Sequence, residues 1–240
     1  MLAYSTISQM GLAIAALGAG LRAEATLYAA HHGFAKGALF LGVGVLAASG
    51  RRHLRWLVPL AALPTLSVAG APLSGGAIAK AAIKSGFAGW TEGAVVLSAA
   101  GTALLLGRAL WISARGHAAA DDARPKALLW VPWLGLTLAA LLLPWVLIGR
   151  FSALSAGDVL RLPALWDGVW PLLVAAGLAG IALLAGLRTP PVPEGDVIAP
   201  LGRAVRIAVV ALRRIPEPAP RRLDLPRVRR GEEALERIEA

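Results

Sequence analysis

The stretch "GAPLSGG" at residues 70–76 interrupts an apolar segment that is too long for one membrane-spanning helix. The segment runs from about residue 54 to about residue 88, and as a single helix it would be roughly 50 Å long against a hydrocarbon core of ~30 Å. Pro72 stands among three glycines, a combination that breaks helices. The stretch therefore predicts either one broken helix that crosses the membrane once or two short helices that cross twice.

The rest of the chain has the composition of a multi-pass membrane protein. Of its 240 residues, 57% are hydrophobic and only 16% are charged, whereas soluble domains carry about a quarter charged residues. Five further segments have the ~20 apolar residues that a span requires, at about residues 3–21, 25–48, 94–113, 127–149 and 165–187. The predicted fold class is therefore all-α: a polytopic membrane protein with about six transmembrane helices, one of them broken.

The basic loop residues favour one crossing for the broken helix over two. One crossing places six basic loop residues on one side and three on the other, whereas two crossings split them five against four. The eleven arginines after residue 187 join the basic side only in the first case. Because positive charge accumulates on the cytoplasmic side, we expect six spans in a cell inner (plasma) membrane, with both termini cytoplasmic.

Composition also limits the chemistry of the chain. It has no cysteine, which excludes disulfides, thiolate-bound iron–sulfur clusters and thiolate zinc sites. Its four histidines show no metal-binding spacing. The net charge of +10 comes from basic residues that border apolar helices or follow them, which favours membrane orientation over nucleic-acid binding. We therefore predict no cofactor, no metal and no nucleic-acid partner.

A lysine and two histidines lie in the middle of the second span, in "HHGFAKGALF" at residues 31–40. A lysine at this depth costs roughly 2.5–3.5 kcal/mol on insertion scales. His32 lies one helical turn before Lys36 on the same face, and His31 is adjacent. The three residues are candidates for a proton pathway, because a desolvated lysine and a histidine one turn apart can exchange a proton through water. The alternative is a lysine that only fixes helix packing.

The break itself supplies a second group of candidates. Exposed backbone at a break is tolerated in lipid only where it faces protein or a water-filled cavity, and transporters place ion sites there. Lys80 follows the break and is the next candidate proton carrier, with Ser74 as a contact for water or a proton. Lys84 is a further candidate, although near the end of the segment its side chain can extend to the interface. In the first span, Ser5 and Ser8 are candidate water contacts.

Four stretches together resemble one protein family: "LAYSTISQMG", "HHGFAKGALFLGVG", "AGAPLSGGAIAK" and "TALLLGRALW". They are similar, in the same order, to the motifs AYSTISQxG, HAFFKALLFL and GxPPLxGFxSK and the sequence that follows them in the antiporter-like membrane subunits of respiratory complex I. Mrp antiporters and membrane-bound hydrogenases share this family. The resemblance covers roughly residues 1 to 113.

The resemblance implies a function and assigns residues to it. Lys36 and His32 match the lysine and histidine of the HAFFK motif. Lys80 matches the broken-helix lysine with a one-residue offset, which keeps Lys84 as an alternative. The implied role is proton translocation through a buried Lys/His relay in a complex I-like NADH–quinone oxidoreductase or a related hydrogenase. The chain would be a non-redox subunit with no catalytic chemistry of its own, in the bilayer beside other membrane subunits.

The resemblance also implies a domain organisation. Family members have about fourteen core spans in two inverted repeats, so this chain would be the C-terminal half of a truncated or split subunit. Residues 1–113 would be the second half of the second repeat, 114–187 two additional transmembrane helices, and 188–240 a cytoplasmic basic tail. At about residues 201–214 we predict an amphipathic helix that docks on anionic lipid or on a neighbouring subunit. Its basic face consists of Arg203, Arg206, Arg213 and Arg214.

Two other functions remain open at this point. The first is an Mrp-type cation/proton antiporter subunit, in which the same lysines exchange protons against sodium. A sodium site needs clustered oxygens, yet none of the six acidic residues before residue 188 lies near the centre of a predicted span. The second is a non-transporting assembly or scaffold remnant whose lysines only pack.

Overall fold

The structure, a computed structural model, describes residues 2–115 and 123–187, and every regular element in these ranges is an α-helix. The third domain predicted above, residues 188–240 with its amphipathic helix, lies outside the described residues. The helices are α1 (Leu2–Gly18), α2 (Arg22–Ala47), α3 (Arg51–Ala69), α4 (Gly75–Lys84), α5 (Trp90–Arg115), α6 (Ala127–Phe151), the single turn α7 (Ala156–Val159) and α8 (Leu162–Leu184).

The predicted break separates α3 from α4. Gly70 follows α3 with φ of +90°, the left-handed conformation that glycine adopts without a steric penalty, and its N–H bonds back to the last turn of the helix. After the turn of residues 71–74, Ser74 caps α4 by accepting a hydrogen bond from the Ala77 N–H at 3.3 Å. The segment that the sequence marks as too long for one straight helix is thus two helices.

Three of the described helices are long and apolar enough to cross a membrane by length and composition: α5, α6 and α8. A shorter apolar stretch, Ser5–Gly18, lies within α1. The 26-residue α2 would also be long enough at about 39 Å, but its middle contains two histidines and a lysine. The chain is therefore a helical membrane protein, while the crossings of α1, α2 and the α3–α4 pair remain predictions.

Helix α2 is the centre of the bundle, with α1, α3, α4, α5 and α6 packed around it. The two glycines that begin α4 allow it to enter this packing. A Cβ atom on Gly76 would lie 1.6 Å from the carbonyl oxygen of Ser67, and one on Gly75 would lie 2.1 Å from that of Ala140. Only glycine therefore lets α4 lie this close to α3 and α6. The close approach brings the polar residues of α2, α3 and α4 together.

Candidate functional site

Lys80 is held by the end of the helix that precedes the break. Its Nζ donates a hydrogen bond to the carbonyl oxygen of Ala69 at 2.9 Å, and the side chain is only 8% exposed. The last carbonyls of a helix have no partner within the helix and bear partial negative charge. The broken helix thus offers a buried ammonium group a favourable acceptor in place of a carboxylate. A Cβ on Gly70 would lie 2.9 Å from Lys80 Cδ, so the lysine stem runs along this glycine.

Ser67 connects the three helices that meet at the break. Its Oγ lies 2.9 Å from Nε2 of His31 on α2 and accepts a hydrogen bond from the backbone N–H of Gly76 on α4 at 3.2 Å. Because the hydroxyl accepts from Gly76, its own proton remains free to donate to the imidazole nitrogen. Sequence analysis missed Ser67; the signal was the single hydroxyl in the last turn of α3.

Lys36 has a backbone partner as well. Its Nζ donates to the carbonyl oxygen of Leu2 in the first turn of α1 at 2.9 Å, and the residue is 5% exposed. Within residues 2–115 and 123–187, no ion pair involves Lys36 or Lys80. Both lysines are therefore buried on neutral acceptors, an arrangement that leaves the charge of the ammonium group uncompensated.

His32 and Ser5 each carry a buried polar atom without a hydrogen-bond partner among the described residues, Nε2 and Oγ respectively. The contact of Leu2 with Lys36 and that of Gln9 with Tyr28 show that α1 and α2 run antiparallel. On α1, Ser5 lies between Leu2 and Gln9. On α2, His32 lies between Tyr28 and Lys36. The two unpartnered atoms are thus at a similar level of the helix pair, one turn from Lys36.

Next to His32, a chain of hydrogen bonds runs from Tyr28 on α2 to α5. The ring of His32 stacks on Tyr28 with centroids 6.5 Å apart, and the Tyr28 hydroxyl donates to Oε1 of Gln9. Gln9 Nε2 in turn donates to Oγ1 of Thr102 at 2.8 Å. Tyr28, Gln9 and Thr102 are all buried. Hydrogen bonds among these three residues join α2, α1 and α5. The sequence analysis did not predict this contact.

Lys84 differs from the two buried lysines because it has acidic partners. Its Nζ lies 3.1 Å from Glu92 Oε1 at the start of α5, and it also pairs with Asp167 on α8. Lys84 and Lys80 line one cavity of about 370 Å³, which opens between α4, α5, α7 and α8. Sequence analysis identified Lys84 but missed both acids, which lie near helix ends and not at the centre of a span.

The other predicted residues take different places. Ser74 donates to the carbonyl oxygen of Ala71 at 2.6 Å and caps α4, so its hydroxyl is engaged at the break. Ser8 is exposed and lines a separate groove with Phe87 and Trp90. The four arginines of the predicted tail helix, 203, 206, 213 and 214, lie outside the described residues. Among the described residues, no three His, Asp or Glu side chains come together as metal ligands.

The first part of the chain matches a known family. The family model described as "NADH:quinone oxidoreductase/Mrp antiporter, TM" matches residues 1–107. That range contains α1 to α4 and most of α5, and therefore Lys36, His32 and Lys80. Helices α6, α7 and α8 lie beyond it. A comparison with curated proteins found no match.

Proposed function

We propose a proton-conducting role for this chain, because its residues 1–107 match the family model of NADH:quinone oxidoreductase and Mrp antiporter membrane subunits. The chain would be a membrane subunit of a complex I-like or related hydrogenase assembly. One observation carries the proposal: two lysines are buried in one helical body on backbone carbonyls, without a described ion-pair partner. Placing a lysine inside a membrane costs free energy, and ionisable residues within membrane spans typically mark ion or proton pathways.

In this proposal the proton path runs along α2 from Lys36 toward the break. His32 lies one turn from Lys36, about 6 Å along the helix axis, a distance that one water molecule can bridge. The unpartnered His32 Nε2 and Ser5 Oγ provide polar contacts for such a water. His31 and Ser67 then connect α2 to α4, where Lys80 resides.

The driving force would be electrostatic. A charge on Lys36 and a charge on Lys80 repel each other through a medium of low dielectric constant, so a proton that arrives at one lysine favours release from the other. The chain itself forms and breaks no covalent bond to a substrate. In a redox assembly, partner subunits would change the field that acts on these lysines, and the proton would move in response.

The proposal is tested by proton pumping in membrane vesicles that contain the complete parent complex. We expect Lys36→Ala and Lys80→Ala to abolish most of the proton uptake that a pH-sensitive dye records. Lys126→Ala is the matched control, because Lys126 is exposed at the start of α6 and should leave pumping unchanged. Normal pumping by both buried-lysine variants, in complexes that assemble fully, would support the scaffold function instead.

The cavity beside Lys80 favours a second candidate, the cation/proton antiporter. Glu92, Asp158 and Asp167 all line this cavity, although they do not converge on one point as metal ligands. Carboxylate oxygens interact favourably with hard cations, so the cavity could admit a hydrated cation. Sodium-dependent proton movement in vesicles without a redox substrate would identify this activity. Pumping that requires redox turnover and ignores sodium would exclude it.

A further inference from the structure

A groove between α3 and α6 opens at the end of the bundle that carries the basic loops. It has a volume of about 480 Å³ and is lined by the N-terminal parts of both helices and by Arg124 and Pro125 just before α6. Ligand pockets commonly measure ~300–1,000 Å³, so this α3–α6 groove is large enough for a small molecule or for part of a lipid. None of the proposed proton-path residues lines it.

The chemistry of the groove changes with depth. Arg124 lies at its open end, before the first residue of α6. Trp56 and Trp130 follow, about 5–8 Å from the first residue of their helices, and Leu60 and Leu134 line the deep end at about 10–14 Å. A phospholipid presents the same order, with a phosphate outermost, glycerol and ester groups at the interface where tryptophan concentrates, and an acyl chain below.

The depth of the groove matches one leaflet of a bilayer. Its lining ends at Leu60, about 14 Å from the start of α3, whereas the hydrocarbon core is ~30 Å thick. A transmembrane helix of a partner would need a complementary face along the whole core. An acyl chain of a single leaflet needs only about half of that length. The depth therefore favours a lipid as the occupant.

Arg124 is fixed at the rim by backbone contacts. The N–H of Gly50 at the start of α3 donates a hydrogen bond to the carbonyl oxygen of Ala123 at 3.0 Å, which holds the segment before α6 against α3. Pro125 restricts the backbone of Arg124 to extended conformations. The arginine is exposed, and none of the ion pairs formed by the described residues involves it. Its guanidinium group is therefore available to bind a phosphate with two parallel hydrogen bonds.

The surroundings of the rim are positively charged. Residues 51–55 and 114–126 together contain six arginine or lysine residues against two acidic residues. The Arg55 guanidinium lies over the ring of Trp56, 5.5 Å from its centroid, beside the groove. The acidic residues that the structure describes all lie at the opposite end of the bundle: Glu24, Glu92, Asp158 and Asp167. This charge distribution favours an anionic headgroup over a zwitterionic one, because basic pockets between membrane helices bind anionic headgroups.

We propose that the α3–α6 groove binds one anionic phospholipid, with its phosphate on Arg124 and one acyl chain between Trp56 and Trp130. The bound lipid would contact α3, which belongs to the matched segment 1–107, and α6, which lies beyond it. It would thus help to hold the added helix against that segment. The inference requires no proton movement and is independent of the proposed function.

Native mass spectrometry of the full chain in detergent tests this site. The chain would be titrated with phosphatidylglycerol or phosphatidylcholine of identical acyl chains. We expect one phosphatidylglycerol per chain, bound about fivefold more tightly than phosphatidylcholine, the factor that one basic residue near a membrane surface contributes. Arg124→Gln should remove this preference, whereas Arg124→Lys, which keeps the charge, should retain most of it. Trp130→Ala should weaken the binding of both lipids.

Two exposed residues at the other end of the bundle provide matched controls. Arg150→Gln removes an arginine from the opposite end of α6, and Trp166→Ala removes a tryptophan that is 57% exposed on α8. Neither change should affect phosphatidylglycerol binding. Equal binding of the two lipids, or equal losses in Arg124→Gln and Arg150→Gln, would mean non-specific lipid contact and would overturn the proposal.

Photocrosslinking identifies the occupant in the intact complex. Because the chain has no cysteine, Leu60→Cys can carry a benzophenone at the deep end of the groove, and Leu178→Cys can carry one on the exposed face of α8. We expect lipid adducts at both positions, enriched in anionic lipid over the membrane composition only at residue 60. A protein adduct at residue 60 would show that a partner subunit fills the groove, and adducts of equal composition at both positions would likewise overturn the lipid site.

Discussion

Removal of the Ser67 hydroxyl tests whether the break is held together by the polar contacts described above. Ser67 has no exposed surface, and its Oγ serves both the His31 ring and the Gly76 N–H. Ser67→Ala leaves two buried polar groups without their partner. Each such group costs about 1–3 kcal/mol, so we expect a loss of about 2–6 kcal/mol in the free energy of unfolding. That loss corresponds to a change of roughly thirty-fold to more than ten-thousand-fold in the unfolding equilibrium constant.

Ser49→Ala is the matched control for this experiment. Ser49 is also a buried serine, at 1% exposed, but its Oγ donates only to the Val45 carbonyl of its own helix at 2.6 Å. Loss of a single contact of this kind should cost less than about 1 kcal/mol. Both variants would be unfolded with sodium dodecyl sulfate in mixed micelles and monitored by helical circular dichroism. Equal shifts of the two unfolding curves would refute the bridging role of Ser67.

Three further predictions follow from other residues. Lys36→Arg keeps a positive charge but cannot release a proton, so a relay should lose pumping while complex assembly persists; retained pumping would mean that the residue only packs. Gly76→Ala forces a methyl group against Ser67, so we expect the α3–α4 contact to fail and the thermal midpoint to drop by more than it does for Ser67→Ala. In α7, hydrogen bonds from the Ser155 backbone N–H and then from its hydroxyl hold the pKa of Asp158 below its usual value. The resulting stabilisation is present above the ordinary carboxyl pKa and is lost as pH falls through the lowered pKa of Asp158. Protection of the Asp158 amide in hydrogen exchange should therefore fall only in acid. Protection that does not change with pH would contradict this reasoning.

The sequence predicts the helices and the break well, because both depend on local chemistry. Pro72 with its neighbouring glycines predicts an interruption at residues 70–76, and the structure ends α3 at Ala69 and begins α4 at Gly75. The segment predicted at about residues 127–149 is the helix Ala127–Phe151. Apolar runs and helix breakers determine the backbone conformation of nearby residues, so helices and their ends can be predicted without knowledge of packing.

The contacts of the site depend on packing and could not be predicted in the same way. Asp167 and Lys84 are 83 residues apart, and only the docking of α8 brings them together. In α1, Ser5 and Gln9 lie about 40° apart around the helix and are both buried. Ser8 is turned about 60° to the other side of Ser5 and is exposed, although the motif presents the two serines as equivalent. A row of hydroxyls predicts a polar helix face but does not tell which members point inward.

The bond from Lys80 to Ala69 links the proposed protonation change of Lys80 to the packing of the two half-helices. This bond fastens the second half of the broken helix to the end of the first half, across the turn of residues 70–74. A hydrogen bond from an ammonium group is about twice as strong as one from a neutral donor. Loss of the proton from Lys80 would therefore weaken the hydrogen bond that joins the two half-helices, and its return would strengthen that bond again. The contact between α3 and α4 would thus be more rigid when Lys80 is charged than when it is neutral. A helix packed against the break would then be displaced when Lys80 changes its protonation state.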